Sequence, residues 1–135
     1  MKEIKLEAVV ENIPRATAFV SEELDKIGCP MKARAQIDIA IDELFGNIAH
    51  YAYPGGTGDT VVRFEFDAPS RTAAVTFMDS GVPYDPLKKE DPDVTLPAEQ
   101  RKIGGLGIFL VKKTMDEMRY ERRDGRNVLT IKKRI

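Results

Sequence analysis

One cysteine, Cys29, occurs among the 135 residues. A lone thiol closes no intramolecular disulfide and is too solitary for a thiolate metal site, so it fits a reducing compartment and a packing role. Histidine is equally scarce, with His50 alone. Neither sign of charge prevails: 21 basic against 22 acidic side chains leave a formal net charge of −1. Direct binding to a nucleic-acid backbone or to an anionic membrane is therefore not expected. No apolar run nears the ~20 residues of a membrane span, and the charged start MKEIKLE does not read as a signal peptide. The expected location is the cytoplasm. Also missing are Gly-x-Gly-x-x-Gly after a strand and Gly-Lys-Ser/Thr, the signatures of two common nucleotide folds.

What is present suits one globular domain spanning 1–135, with 42 % hydrophobic and 32 % charged residues. Residues 2–10 alternate, with Ile4, Leu6 and Ala8 on one face of a strand. Asn12 and Pro14 predict a helix start, as cap and first-turn residue, and Gly28-Cys29-Pro30 its end. A second helix is expected over 31–53, with Ile37, Ile41, Leu44 and Ile48 as its apolar stripe. Alternating segments at 60–67 and 72–79 form a hairpin. From Ser80 to Ile103 periodicity fails while Pro83, Pro86, Pro92 and Pro97 recur, and so long an irregular stretch reads as a lid, about 84–104. A third helix runs from the glycines at 104–107 to about Met118, and strands 118–123 and 127–133 turn at Asp124-Gly125. The order predicts an α/β two-layer sandwich: a mostly antiparallel sheet with three helices on one face.

Three constellations carry chemistry. On the second helix, Ala40, Glu43, Asn47 and His50 share one stripe beside the apolar one. A carboxylate there can act as a general base, and a carboxamide oxygen one turn on suits Mg²⁺; the bland alternative is a solvated helix edge. Gly46 between them costs ~1 kcal/mol relative to Ala, tolerable where something approaches the backbone. Asp79 ends a strand on the face of Val75 and Phe77. A buried carboxylate needs a partner or takes up a proton. A purine amino group would serve, with Gly81 leaving room for a flat ring; the alternative is a plain Asp-Ser-Gly turn. Gly104-Gly105-Leu106-Gly107 opens the third helix, where free amides and the dipole favour phosphate, unless it is only a lid hinge.

Taken in order, Glu43-x-x-x-Asn47, Asp79-x-Gly81, a long lid and Gly105-x-Gly107 resemble the N box and two glycine boxes of the Bergerat (GHKL) ATP-binding fold of gyrase and histidine-kinase ATPase domains. The resemblance covers essentially the whole chain. DELFGNIAHYAYP, DSGVPYDP and GGLGIFLVKKTMDEMRY look most like the bacterial anti-sigma-factor serine/threonine kinases.

That resemblance implies ATP and Mg²⁺ as cofactors. Glu43 would be the catalytic base, Asn47 the magnesium ligand, and Asp79 with Gly81 the adenine site. Gly104, Gly105, Leu106 and Gly107 would meet the phosphates; Arg101 and Lys102, by their position at the lid's end and not by any family motif, could close over the γ-phosphate. A late-strand Thr often assists the adenine acid in this fold; here Asn127 aligns best, with Thr130 nearby. His50 reads as a pocket-edge or surface residue, structural rather than catalytic, and Arg122-Arg123 and Lys132-Lys133-Arg134 as solvated strand edges. The implied partners are a STAS-domain antagonist, a sigma factor and a second copy of the chain, the last compatible with an exposed sheet surface bearing Val9 and Val61. The competing reading is a non-catalytic, nucleotide-responsive module that sequesters its partner. A stand-alone gyrase-like ATPase would need a transducer domain, and a histidine autokinase a phosphoacceptor helix.

Overall fold

A computed structural model describes residues 1–88 and 106–135. Strand β1 (Lys2–Glu7) leads through a 3-10 turn, Val10–Asn12, into α1 (Ile13–Lys26) and α2 (Met31–Tyr51). The β2–β3 hairpin follows (Asp59–Asp67, Thr72–Asp79), then a 3-10 turn at Pro86–Lys88. Beyond the undescribed segment come α3 (Leu106–Thr114), β4 (Glu117–Arg123) and β5 (Arg126–Arg134). The five strands form one sheet in the order β1-β2-β3-β5-β4, and every pairing is antiparallel.

Alternation decides which side of the sheet is buried. Leu6, Val62, Phe64, Val75, Phe77, Leu129 and Ile131 point to one side, where they meet Val20 and Leu24 of α1, Ile37, Ile41 and Leu44 of α2, and Ile108 and Val111 of α3. Burying each such side chain contributes about 1.5–3 kcal/mol. The fold is therefore the expected α/β two-layer sandwich. Its other sheet face carries charged rims around a centre of Val61, Thr76, Met78, Val128 and Thr130. The β4–β5 turn closes as its sequence requires. Asp124 and Gly125 both take positive φ, 53° and 75°, the primed geometry that matches strand twist.

Three expectations about boundaries need correction. β1 stops at Glu7, so Val9 lies outside the sheet. Asn12 does not cap α1; its Nδ2 donates 2.8 Å to the Glu7 carbonyl and ties the helix entry to the strand. The third helix ends at Thr114 rather than near Met118. Met115 N–H makes a last helical bond to Val111, after which Asp116 N–H donates 2.9 Å to Lys132 of β5. The apolar spacing through Met115 and Met118 suits a helix, but sheet pairing overrides it.

Candidate functional site

The candidate site forms where β3 ends beneath α2. Asp79 is the last residue of β3 and lies opposite Thr60 on one side and Asn127 on the other. It is 3 % exposed. Its Oδ1 accepts the Gly81 N–H at 2.9 Å and the Asn127 Nδ2 at 2.9 Å. Asn127, 5 % exposed, also donates 2.8 Å to the Val82 carbonyl and accepts from the Tyr84 N–H at 3.3 Å and from the Tyr120 hydroxyl. The buried carboxylate thus has hydrogen-bond donors, as burial demands. Of the two candidates to assist Asp79, only Asn127 reaches it. Thr130, three residues on, projects from the opposite face and shares a 3.0 Å hydrogen bond with Thr76. The alternation of Leu129 and Ile131 carries that distinction.

Above this polar pair, Asn47 and Ile48 of α2, Phe77 and Leu129 of the sheet and Tyr120 of β4 enclose a narrow cavity that Asp79 also lines. Tyr51 and Tyr84 close it, their rings stacked with centroids 6.1 Å apart and planes 30° apart. The enclosed space is about 30 Å³, room for a water and not for a ring system. A wider hollow of about 470 Å³ lies on the open sheet face among Arg63, Glu65, Arg119 and Lys132. It is a trough between surface ion pairs and shares no residue with the Asp79 cavity.

Gly81 has a different reason from the expected one. A Cβ there would strike the Ala52 carbonyl at the end of α2, so backbone and not an open space for a ring occupies that side. Val82 N–H donates 2.8 Å to the same carbonyl, and Arg122 Nη1 donates 2.8 Å to the Gly81 carbonyl. Arg122 is exposed, as a strand edge should be, and also braces the loop. Lys133 likewise reaches the Thr114 carbonyl, at 2.7 Å. Tyr53, which the sequence reading did not single out, accepts the Ser80 N–H at 2.9 Å and donates 2.6 Å to the Asp59 carbonyl. Burial, reinforced by the Asp79 charge, holds its phenol above the ordinary value, so the donated proton stays in place.

Glu43 and Asn47 share one stripe of α2, but their neighbours differ. Asn47 lines the cavity, whereas the Glu43 carboxylate lies against Gly107 in the first turn of α3, so closely that a Cβ on Gly107 would collide with it. α3 starts at Leu106, whose side chain is 42 % exposed. His50 faces solvent, tilted against the Tyr51 ring at 6.1 Å, and is absent from the cavity wall. Gly46 meets nothing nearer than Ile13 Cδ1 at 3.9 Å, so no close approach requires it. Arg101, Lys102, Gly104, Gly105 and the lid from residue 89 onward lie outside the described residues. Among the described residues no trio of His, Cys, Asp or Glu could hold a metal by itself. Cys29 sits half-buried at the edge of the core, and burial pushes its thiol up, as an inert packing residue requires.

The arrangement offers an acceptor at the floor of an apolar slot and, one helix away, a carboxylate beside a helix start. The chain matches the family described as "Histidine kinase-like ATPase domain" over residues 6–133. It is 27 % identical over 100 residues to the serine/threonine-protein kinase BtrW of Bordetella bronchiseptica, covering 74 % of this chain and 70 % of that protein. It is 25 % identical over 134 residues to the serine-protein kinase RsbW of Bacillus thuringiensis, covering 96 % and 82 %. With RsbW of Listeria monocytogenes it shares 26 % over 133 residues, covering 96 % and 84 %. No described helix is long and apolar enough to cross a membrane. A sheet of this order, an acid closing its central strand and a match from residue 6 to residue 133 place the chain in the histidine kinase-like ATPase domain family.

Proposed function

We propose that the protein is a cytoplasmic ATP-dependent serine/threonine kinase and anti-sigma factor that phosphorylates a STAS-type antagonist. The observation that carries this reading is Asp79: a nearly fully buried acid, hydrogen-bonded through one oxygen, at the floor of a flat apolar slot that Asn47 also lines. An exocyclic amino group is the partner such an oxygen needs. The names of the relatives, serine-protein kinase and serine/threonine-protein kinase, support transfer to serine.

Magnesium and ATP fit the donors present. Asn47 supplies a neutral oxygen, and an ion that keeps several waters and takes its remaining ligands from phosphates needs little more from the protein. When bound, Mg²⁺ neutralises charge on the transferring phosphoryl group. Asn47 would hold it, Asp79 would hold the base, and the amides around Leu106 and Gly107 would face the phosphates. Glu43 would take the proton of the attacking serine hydroxyl as its oxygen bonds to the γ-phosphorus and the bond to the bridging oxygen breaks. Gly104, Gly105, Arg101 and Lys102 complete the phosphate end in this reading. Tyr84 would swing off Tyr51 to admit the base. A homodimer would use the open sheet face, where the paired residues Val61, Met78 and Val128 form an apolar row.

The test mixes the protein with Mg-ATP and the STAS-type protein encoded beside it, and follows phosphoserine by mass spectrometry. Transfer by the wild type, abolished in Glu43→Gln with ATP still bound, is the expected result. Nucleotide binding without transfer would instead favour a non-catalytic module that sequesters its partner.

A further inference from the structure

Every hydrogen-bonding position of the Asn127 carboxamide is occupied. Nδ2 donates to Asp79 Oδ1 and to the Val82 carbonyl, at 2.9 and 2.8 Å, while Oδ1 accepts from the Tyr84 N–H and the Tyr120 hydroxyl. An amide has two N–H donors and two lone pairs on oxygen, so nothing is left over. Nor can it turn round. Reversal would set its oxygen against a carboxylate and a carbonyl, and its nitrogen against the Tyr84 N–H.

Asp79 is fixed by consequence. Among the described residues two donors reach it, Asn127 Nδ2 and the Gly81 N–H, and both meet the same oxygen, Oδ1. Oδ2 remains for the cavity that Asp79 lines.

We propose that Asn127 is a positioning residue for base selection: with the Gly81 amide it pins one oxygen at position 79 and so determines which kind of atom that position offers a ligand. The inference rests on the nucleotide reading above and goes further, because the same two donors orient whatever replaces the carboxylate. In Asp79→Asn, only the amide oxygen can accept from Asn127 and Gly81, so the amide nitrogen must face the cavity. An acceptor becomes a donor. A purine with an amino group at C6 is then rejected, and one with a carbonyl there is taken.

ATP and ITP differ at that edge of the ring and nowhere else. Calorimetric titration of the full chain with each, in Mg²⁺, is the experiment. Wild type should prefer ATP, and Asp79→Asn should prefer ITP, with the ratio of the two affinities moving by about 100-fold, as expected when a charge-assisted bond is exchanged for a mismatch. Adding Asn127→Ala to Asp79→Asn removes one of the two orienting donors, and the ITP preference should shrink several-fold. Tyr120→Phe in the Asp79→Asn background, a milder change that frees one side of the Asn127 amide, should shrink it less. A loss of packing alone would weaken both nucleotides alike and leave their ratio where it was.

If wild type binds neither nucleotide, the nucleotide reading itself falls and this inference with it. If wild type binds ATP but Asp79→Asn still favours ATP, or binds neither, the orienting role of Asn127 is wrong and the nucleotide site stands. An ITP preference that survives unchanged in both double variants also overturns it.

Discussion

The Glu43 carboxylate of α2 rests on Gly107 of α3 with no space for a Cβ between them. Two helices that meet only in the folded state thus hold the proposed base at the start of the proposed phosphate helix. Gly107→Ala should push the carboxylate aside while costing little stability, because alanine is the better helix former by about 1 kcal/mol. We expect phosphoryl transfer to fall at least ~10-fold, equivalent to a barrier increase of about 1.4 kcal/mol, with the thermal midpoint nearly unchanged. A variant with full activity would mean that this contact does not matter to the chemistry.

Gly81 and Gly46 should respond in opposite directions. Gly81→Ala drives a methyl into the Ala52 carbonyl, which is backbone and cannot yield cheaply; overpacking of this kind costs about 1–3 kcal/mol. Gly46→Ala meets only Ile13 Cδ1, at 3.9 Å, and should stabilise by about 0.5–1 kcal/mol. Urea unfolding of the two variants would measure both. Equal destabilisation would place a ligand-independent constraint at Gly46 that its surroundings do not show.

Asp79→Ala removes the only carboxylate among the described residues of the cavity wall, and ATP affinity should drop by about 10–100-fold. His50→Ala, on the solvent side of α2, should leave affinity within about 2-fold. Comparable losses at the two positions in calorimetry would show that the pocket has been misplaced.

Asp38 gives a pH signature. Burial raises its carboxyl above the ordinary value, against the pull of Arg34 and a Ser21 hydrogen bond, and its Oδ1 has no protein hydrogen bond. A folded-state value above the unfolded one means that folding is favoured relative to an ordinary Asp at low pH. That advantage is lost as pH rises and the buried group ionises. Asp38→Asn should therefore raise the melting temperature at pH 7, with the gain disappearing near pH 3 where both forms are neutral. A gain independent of pH would point to packing instead of charge.

Much of the site was legible because its signals are local. Glu43 and Asn47 are one turn apart, Asp79 ends an alternating strand, and Gly107 lies in the first turn of a helix. What misled was equally local. Apolar spacing carried the third helix through Met118, and although the expected strand 118–123 contained Tyr120, nothing local marked its hydroxyl as the one that holds Asn127. The bracing role of the exposed Arg122 was not legible because its acceptor, the Gly81 carbonyl, lies 41 residues away in the chain.

From the order of residues alone came the helices and strands, the faces they bury and the turn at Asp124-Gly125, since periodicity and turn chemistry are properties of neighbours in the chain. Tertiary structure decided that Asn127 and not Thr130 stands against Asp79, and that Ala52 presses on Gly81 and Glu43 on Gly107. Such contacts join segments tens of residues apart. The contact of Asp79 with Asn127 exists only once antiparallel pairing has set the register, because a shift of one residue in β5 would turn Asn127 to the other face.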